Sequence, residues 1–106
     1  AKFTFNGCAN EAFCNAVELA NVHTWLVCGV EAHICVYQTA LGLKEQGFNV
    51  EVVVDCVASR AEASKGLAIT KLASQHVGLT TVEMCLYELV KDCRAPEFKT
   101  ILNLIK

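Results

Sequence analysis

Two apolar runs on either side of a helical segment restrict the fold of this 106-residue chain most strongly. The runs "TWLVCGV" (24–30) and "FNVEVVVDC" (48–56) lack the polar alternation of a half-exposed strand, which is typical of strands covered on both faces. The apolar segment between them, from about 33 to 46, is predicted to be a helix that ends at Gly47. A strand, a crossover helix and a second strand form a right-handed βαβ unit, so the sequence predicts a parallel sheet and the α/β class.

The rest of the chain carries four helix start signals: an N-cap asparagine, two S/T-x-x-E capping boxes and a first-turn proline. They lie at Asn10 (helix 10–20), at Ser59 and Glu62 (helix to about 77), at Thr80 and Glu83, and at Pro96. From the first strand onwards the predicted order is therefore β-α-β-α-α-α. Two central strands need neighbours on both edges, and we infer that a strand-rich N-terminal half is absent from this chain.

The composition is apolar for a short chain, with 54% hydrophobic and 19% charged residues. Such a core is too large for the available surface, which indicates either an oligomer interface or membership of a larger domain. The net charge of −2 and the absence of a Lys/Arg cluster argue against a nucleic-acid partner. No apolar run reaches the roughly 18 residues of a membrane helix, so no membrane association is predicted.

The seven cysteines are odd in number and show no C-x-x-C motif and no zinc-type Cys/His spacing. Free thiols in a reducing compartment, cytoplasmic or mitochondrial, are the expected state. No metal and no cofactor are predicted.

Two cysteines in "VCGVEAHICVYQTALGLKEQG" occupy different positions. Cys28 lies within the first strand, and we interpret it as a packing residue. Cys35 lies in the first turn of the next helix, where the helix dipole and free backbone N–H groups favour a thiolate and can hold an oxyanion. Position alone leaves two roles open for Cys35, a nucleophile or a small buried side chain.

The segment 27–60 resembles the cysteine-nucleophile segment of the isochorismatase-like hydrolase family, and its loop "GVEAHIC" is most similar to the isochorismatase domain-containing subgroup. The shared pattern is an apolar strand with glycine, a short loop, C-V-x-x-T-A, a helix ending in glycine, and a strand ending in aspartate. The matching residues are Gly29, Cys35, Val36, Thr39, Ala40, Gly47 and Asp55. The resemblance implies a three-layer Rossmann-like parallel sheet with helices on both faces, of which residues 1–106 are the C-terminal portion.

The resemblance also implies a Cys–Lys–Asp triad in which Cys35 is the nucleophile. Lys2, in "AKFTFNGCANEAF", matches the lysine that stabilises the thiolate and the charge of the transition state. The triad aspartate, a general base on the first strand of the family domain, has no counterpart here, and Asp55 does not take that role. A cis peptide bond at Val30–Glu31 and an oxyanion hole made by the backbone amides of Glu31 and Cys35 are further implications.

One part of the loop departs from the family, because A-H-I-C stands where many members have T-D-x-C. His33 is expected to point away from the cysteine that follows it by two residues. Tyr37 and Gln38 are interpreted as packing or interface residues, and His23 and His76 as surface residues.

The function that the resemblance implies is a cysteine hydrolase. It would act on a small amide-like (C–N) or related substrate through an acyl-thioester intermediate, as a homo-oligomer. Two alternatives remain open: a non-catalytic, oligomeric or partner-binding member of the family, and a mitochondria-associated ribonuclease, a label that some relatives carry.

Overall fold

A parallel three-stranded sheet lies at the centre of the computed structural model, which describes residues 4–105. The strands are β1 (Thr24–Val30), β2 (Asn49–Ala58) and β3 (Gly78–Thr80). They lie in the order β1-β2-β3, and both neighbouring pairs are parallel. The predicted βαβ unit and the α/β class are confirmed.

Residues 4–105 also form five helices. They are α1 (Glu11–Ala20), α2 (Tyr37–Glu45), α3 (Glu62–Ser74), α4 (Val82–Val90) and α5 (Phe98–Ile105), and a 3-10 turn (Gly7–Ala9) precedes α1. Adjacent residues of β1 point to opposite sides: Val27 packs on the core beneath α2, whereas Leu26 lines a cavity with residues of α4. Helices therefore lie on both faces of the sheet, as predicted.

The hydrophobic core lies between the sheet and the helices α1, α2 and α3. Its buried members are Val17, Ala32, Val36, Ala40, Leu43, Val50, Val52, Val57, Leu72 and Val77. Each buried valine or leucine side chain contributes about 1.5–3 kcal/mol relative to exposure. Helix α2 supplies Ala40 and Leu43, which are 0% and 2% exposed, so the core fixes the helix that follows Cys35.

The sequence prediction missed β3. We interpreted Gly78 as the stop signal of a helix that reached about residue 77, but α3 ends at Ser74 and Gly78 begins β3. The prediction was wrong because a three-residue strand is too short to show a period, and its leading glycine is a common residue after a helix.

Both predicted capping boxes were wrong in detail. The N-cap of α3 is Ala61, while Ser59 makes a side-chain contact elsewhere. The N-cap of α4 is Thr81, whose side chain accepts a hydrogen bond from the Met84 amide at 3.1 Å. Thr80 cannot cap α4 because it ends β3 and is buried.

Strand β1 is not covered on both faces by the described residues, contrary to the prediction. Its side chains alternate between half-buried and exposed, and Leu26 and Val30 are 49% and 68% exposed. Cys28 is also exposed, so its assignment as a packing residue was wrong. The strand edge opposite β2 has no partner within residues 4–105.

Gly42 allows the 3-10 turn to approach α2 closely. A Cβ atom added at this residue would lie 2.8 Å from Asn6 Oδ1 and 2.9 Å from Cys8 Cβ. Gly42→Ala is therefore expected to lower the free energy of unfolding by about 1–3 kcal/mol, which urea denaturation measures.

Gly66→Ala is the matched control, since Gly66 also lies within a helix but a Cβ there meets nothing within 4 Å. This substitution is expected to raise stability by about 0.5–1 kcal/mol, because alanine has the better helix propensity. Equal effects of the two substitutions would contradict the close contact at Gly42.

Candidate active site

The backbone changes direction sharply where β1 ends. Gly29 has a φ of 120°, a conformation that residues with a Cβ rarely adopt. The peptide bond between Val30 and Glu31, which follows shortly after Gly29, is cis. It lies at the position that the sequence resemblance implies.

Cys35 lies in a wide, π-type turn, Ala32–Val36, which we call the Cys35 turn. The carbonyl oxygen of Glu31 accepts hydrogen bonds from the amides of Ile34 (3.1 Å) and Val36 (3.2 Å), which flank the Cys35 amide. The sequence predicted that an α-helix starts near residue 33, but α2 begins at Tyr37. Single π-type turns are rare overall, and those that occur often lie at functional sites. The departure from a regular α-helix therefore falls where a functional site would be expected.

The half-buried Cys35 borders a cavity of about 320 Å³ between β1 and α2. Val36, Thr39 and Phe13 also line it. Trp25 lines it as well, and the indole Nε1 of Trp25 is buried without a hydrogen-bond partner among the described residues. Cys35 thus lies beside a mainly apolar space of small-molecule size.

The 3-10 turn is anchored on α2 beside the same cavity. The Gly7 amide donates a hydrogen bond to Thr39 Oγ1 at 2.8 Å, and the Cys8 thiol contacts the Thr39 carbonyl at 3.8 Å. Burial raises the pKa of the Cys8 thiol, and Cys14 and Glu45 raise that pKa further. Cys8 is therefore protonated at neutral pH and is a poor nucleophile. Lys2, the predicted triad lysine, lies outside the described residues.

Two side chains of the loop before α2 contact the loop between β2 and α3. Glu31 Oε2 accepts a hydrogen bond from the Arg60 backbone amide at 3.1 Å. His33 Nδ1 lies 2.8 Å from Ser59 Oγ, which agrees with the expectation that His33 points away from Cys35. These contacts join the Cys35 turn to residues far along the chain.

A family model, the Isochorismatase domain, matches residues 1–84. The chain belongs to the isochorismatase family. The resemblance inferred from residues 27–60 is thereby confirmed, and isochorismatase domain-containing proteins are among the relatives.

Three relatives of this isochorismatase-family chain illustrate the match. Isochorismatase domain-containing protein 1 of Salmo salar is 38% identical over 105 residues, which are 99% of this chain and 37% of that protein. The structure of MAR1 ribonuclease from Caenorhabditis elegans matches with a TM-score of 0.86 at 36% identity. The match covers 98% of this chain and 53% of that ribonuclease chain. YcaC from Pseudomonas aeruginosa with hexane-2,5-diol and covalent acrylamide has a TM-score of 0.88 at 26% identity, over 95% of this chain and 51% of its own. The chain therefore spans only about a third to a half of these relatives.

Other residues of the isochorismatase motif have structural contacts. Asp55 lies where β2 bulges away from β1, between Val52 and Val57, and its Oδ1 accepts a hydrogen bond from the Val82 amide at 3.1 Å. The side chain thus satisfies a free amide at the start of α4. This contact agrees with the sequence interpretation that Asp55 is not the triad aspartate.

Tyr37 packs against α3 in this isochorismatase-family fold. Its hydroxyl accepts a hydrogen bond from Gln75 Nε2 at 2.7 Å, and Lys71 Nζ lies 5.3 Å from its ring centroid. Gln38, His23 and His76 are exposed. Tyr37 therefore connects α2 to α3, in agreement with its interpretation as a packing residue.

Sequence reasoning missed the side-chain role of Glu31. Only its backbone amide was singled out, whereas its carboxylate binds the Arg60 amide. Within residues 4–105, no three His, Cys, Asp or Glu side chains come together as a possible metal site. Among the same residues, no helix has the length and apolar character that crossing a membrane requires.

Proposed function

We propose that this isochorismatase-family chain contributes the nucleophile of a cysteine hydrolase, with Cys35 attacking the carbonyl carbon of a small amide-like substrate. The observation that carries the proposal is the position of Cys35, in a π-type turn at the carboxyl end of β1 and on the wall of a cavity. Ligands of α/β sheets bind at this end of the strands. A thiol placed there can meet a bound carbonyl group.

The proposed reaction has two steps. The Cys35 thiolate forms a bond to the carbonyl carbon, the oxygen takes the negative charge, and the backbone amides of Glu31 and Cys35 stabilise that oxyanion. Collapse of the intermediate breaks the C–N bond and releases a protonated amine. Water then attacks the acyl-thioester, the C–S bond breaks, and the carboxylic acid leaves while the Cys35 thiol is restored. Lys2 would stabilise the thiolate, and a carboxylate from outside this sequence would move the protons.

The acrylamide that is covalently bound in the Pseudomonas aeruginosa relative supports a reactive nucleophile in this family. Acrylamide is an electrophile that adds to thiolates, and reactive thiolates occur where backbone amides and positive charge lower the thiol pKa. An amide-sized molecule is also of a size that suits the cavity beside Cys35.

An activated ester tests the proposal without knowledge of the natural substrate. With p-nitrophenyl acetate, we expect the full-length protein to release a burst of nitrophenolate close to one equivalent of enzyme. Peptide mass spectrometry should then find one acetyl group on the peptide that contains Cys35. Slow, linear release without acetylation of that peptide would contradict the proposed nucleophile.

A ribonuclease is the second candidate, because the relative from Caenorhabditis elegans carries that name. The chain itself has a net charge of −2, which gives weak attraction to RNA. Cleavage of RNA that is salt-sensitive and survives the substitution Cys35→Ala would favour this candidate over the hydrolase.

We also propose that the chain is the C-terminal portion of one isochorismatase domain. Within residues 4–105, β1 has a partner on one edge only, and an unpaired central edge is a site for another strand. The chain spans 37% of the salmon relative, which leaves length for such strands. A structure of the full-length protein would show whether a parallel strand pairs with β1.

A homo-oligomer is the proposed state in solution. Large apolar side chains remain exposed on the last two helices, among them Leu89 (74%) and Leu104 (75%). Helix α5 contacts α4 through the rings of Phe98 and Tyr87, whose centroids are 6.1 Å apart, and this contact leaves Leu104 uncovered. Sedimentation of the full-length protein as a monomer would contradict the proposal.

A further inference from the structure

The carboxylate of Glu31 connects the Cys35 turn with the loop between β2 and α3. Its Oε2 accepts a hydrogen bond from the Arg60 amide at 3.1 Å, and its Oε1 lies 3.6 Å from Arg60 Nε. His33 Nδ1 lies 3.6 Å from Glu31 Oε2 and 2.8 Å from Ser59 Oγ. Glu31 and His33, on either side of Ala32, thus contact the adjacent residues Ser59 and Arg60 of the other loop.

The backbone contact is the stronger part of this connection. The Arg60 side chain is 78% exposed, so its ion pair with Glu31 contributes little to stability. The Arg60 amide is held in place by the chain, and a hydrogen bond from it to a carboxylate that is only 27% exposed is charge-assisted. The Glu31 side chain is therefore fixed against the backbone of the opposite loop.

The same residue also fixes the Cys35 turn from within. The Glu31 carbonyl accepts hydrogen bonds from Ile34 and Val36, on both sides of Cys35. The carboxylate of Glu31 is thereby hydrogen-bonded to the Arg60 amide, and its carbonyl is hydrogen-bonded to the Cys35 turn. A change in the position of the carboxylate would move the Glu31 amide relative to the sulfur.

We propose that the Glu31 carboxylate is a positioning residue, which holds the backbone amide of Glu31 in the geometry that oxyanion binding requires, with His33–Ser59 as a second anchor. The inference rests on the proposed cysteine hydrolase function. Catalytic groups must be held within about 0.5 Å of the productive geometry, and a displacement of about 1 Å can cost about 100-fold in rate. A small shift of this loop would therefore be visible in the kinetics.

The test compares two reactions of Cys35 in the full-length protein. Acylation by p-nitrophenyl acetate passes through an oxyanion, whereas alkylation by iodoacetamide is a displacement at a saturated carbon and develops no such charge. Glu31→Ala keeps the backbone amide but removes the carboxylate. We expect it to slow the nitrophenolate burst by about 100-fold, the scale of losing one oxyanion donor, while the alkylation rate of Cys35 changes by less than about threefold.

Glu31→Gln retains an oxygen that can accept from the Arg60 amide, so we expect a smaller loss of acylation than in Glu31→Ala. Asp92→Ala is the matched control. The Asp92 carboxylate also accepts a hydrogen bond from the backbone amide of a nearby arginine, Arg94, at 2.7 Å, and it forms an ion pair with the Arg94 guanidinium. That carboxylate lies between α4 and α5 and should leave both reactions unchanged.

The outcomes separate this inference from the function on which it rests. A folded Glu31→Ala protein that acylates at the wild-type rate, or that loses acylation and alkylation equally, overturns the positioning role. Absence of a burst in the wild-type protein refutes the hydrolase and this inference with it. If Glu31→Ala fails to fold, Ser59→Ala decides: selective loss of acylation supports the anchor, and unchanged acylation overturns it.

Discussion

Replacement of Cys35 by alanine is expected to abolish the nitrophenolate burst and to reduce ester turnover by about 10³-fold or more. The substitution removes the sulfur atom that the proposed mechanism needs for the acyl-thioester. Cys8, whose thiol contacts the Thr39 carbonyl, has a raised pKa because it is partly buried and lies near Cys14 and Glu45. The measurement is the burst amplitude at neutral pH, with acetylation located by peptide mass spectrometry.

Cys56→Ala is the control for this prediction. Cys56 is an exposed thiol of β2, so it is open to reagents but does not line the cavity of Cys35. Its removal should leave the burst unchanged. A Cys35→Ala protein that still shows a full burst would mean that another group is the nucleophile, and the hydrolase mechanism proposed above would have to be abandoned.

Leu43→Ala is expected to lower the free energy of unfolding by about 2–5 kcal/mol. Leu43 is 2% exposed, belongs to the hydrophobic core and lines the cavity of Cys35. Truncation removes buried methyl groups and leaves a void that the rigid packing around α2 fills only in part. Urea denaturation gives the size of the loss, and the burst assay on the folded fraction shows whether the site is also affected.

Leu19→Ala provides the matched control on the surface. Leu19 is 84% exposed on α1, so the same chemical change removes little buried area. We expect a change in stability within about 0.5 kcal/mol. Similar losses for the two leucines would show that α2 does not depend on the core in the way described.

The parts of the fold that sequence predicted are those with a long local signal. The runs at 24–30 and 48–56 are long enough to be identified as strands, and the helix between them follows from its apolar content and Gly47. Strand β3 has three residues and becomes a strand only by pairing with β2. Because β3 forms through this tertiary contact, no local sequence pattern predicts it.

The same distinction applies to the candidate site. The position of Cys35 follows from a contiguous motif, and the cis bond lies where that motif implies it. The contact between Glu31 and Arg60 joins residues 29 apart in sequence, and it depends on how two loops meet. Ser59 was misassigned for the same reason, because an S-x-x-E pattern does not reveal that the hydroxyl faces His33.

Trp25 gives the protein a built-in optical probe. It is the single tryptophan of the sequence, and its ring meets Phe48 edge-on at 6.1 Å on the core side while it also lines the cavity of Cys35. Emission from this indole therefore depends on both regions. Unfolding would expose this indole to water and shift its emission to longer wavelength, whereas a molecule that enters the cavity would alter its intensity in the folded state.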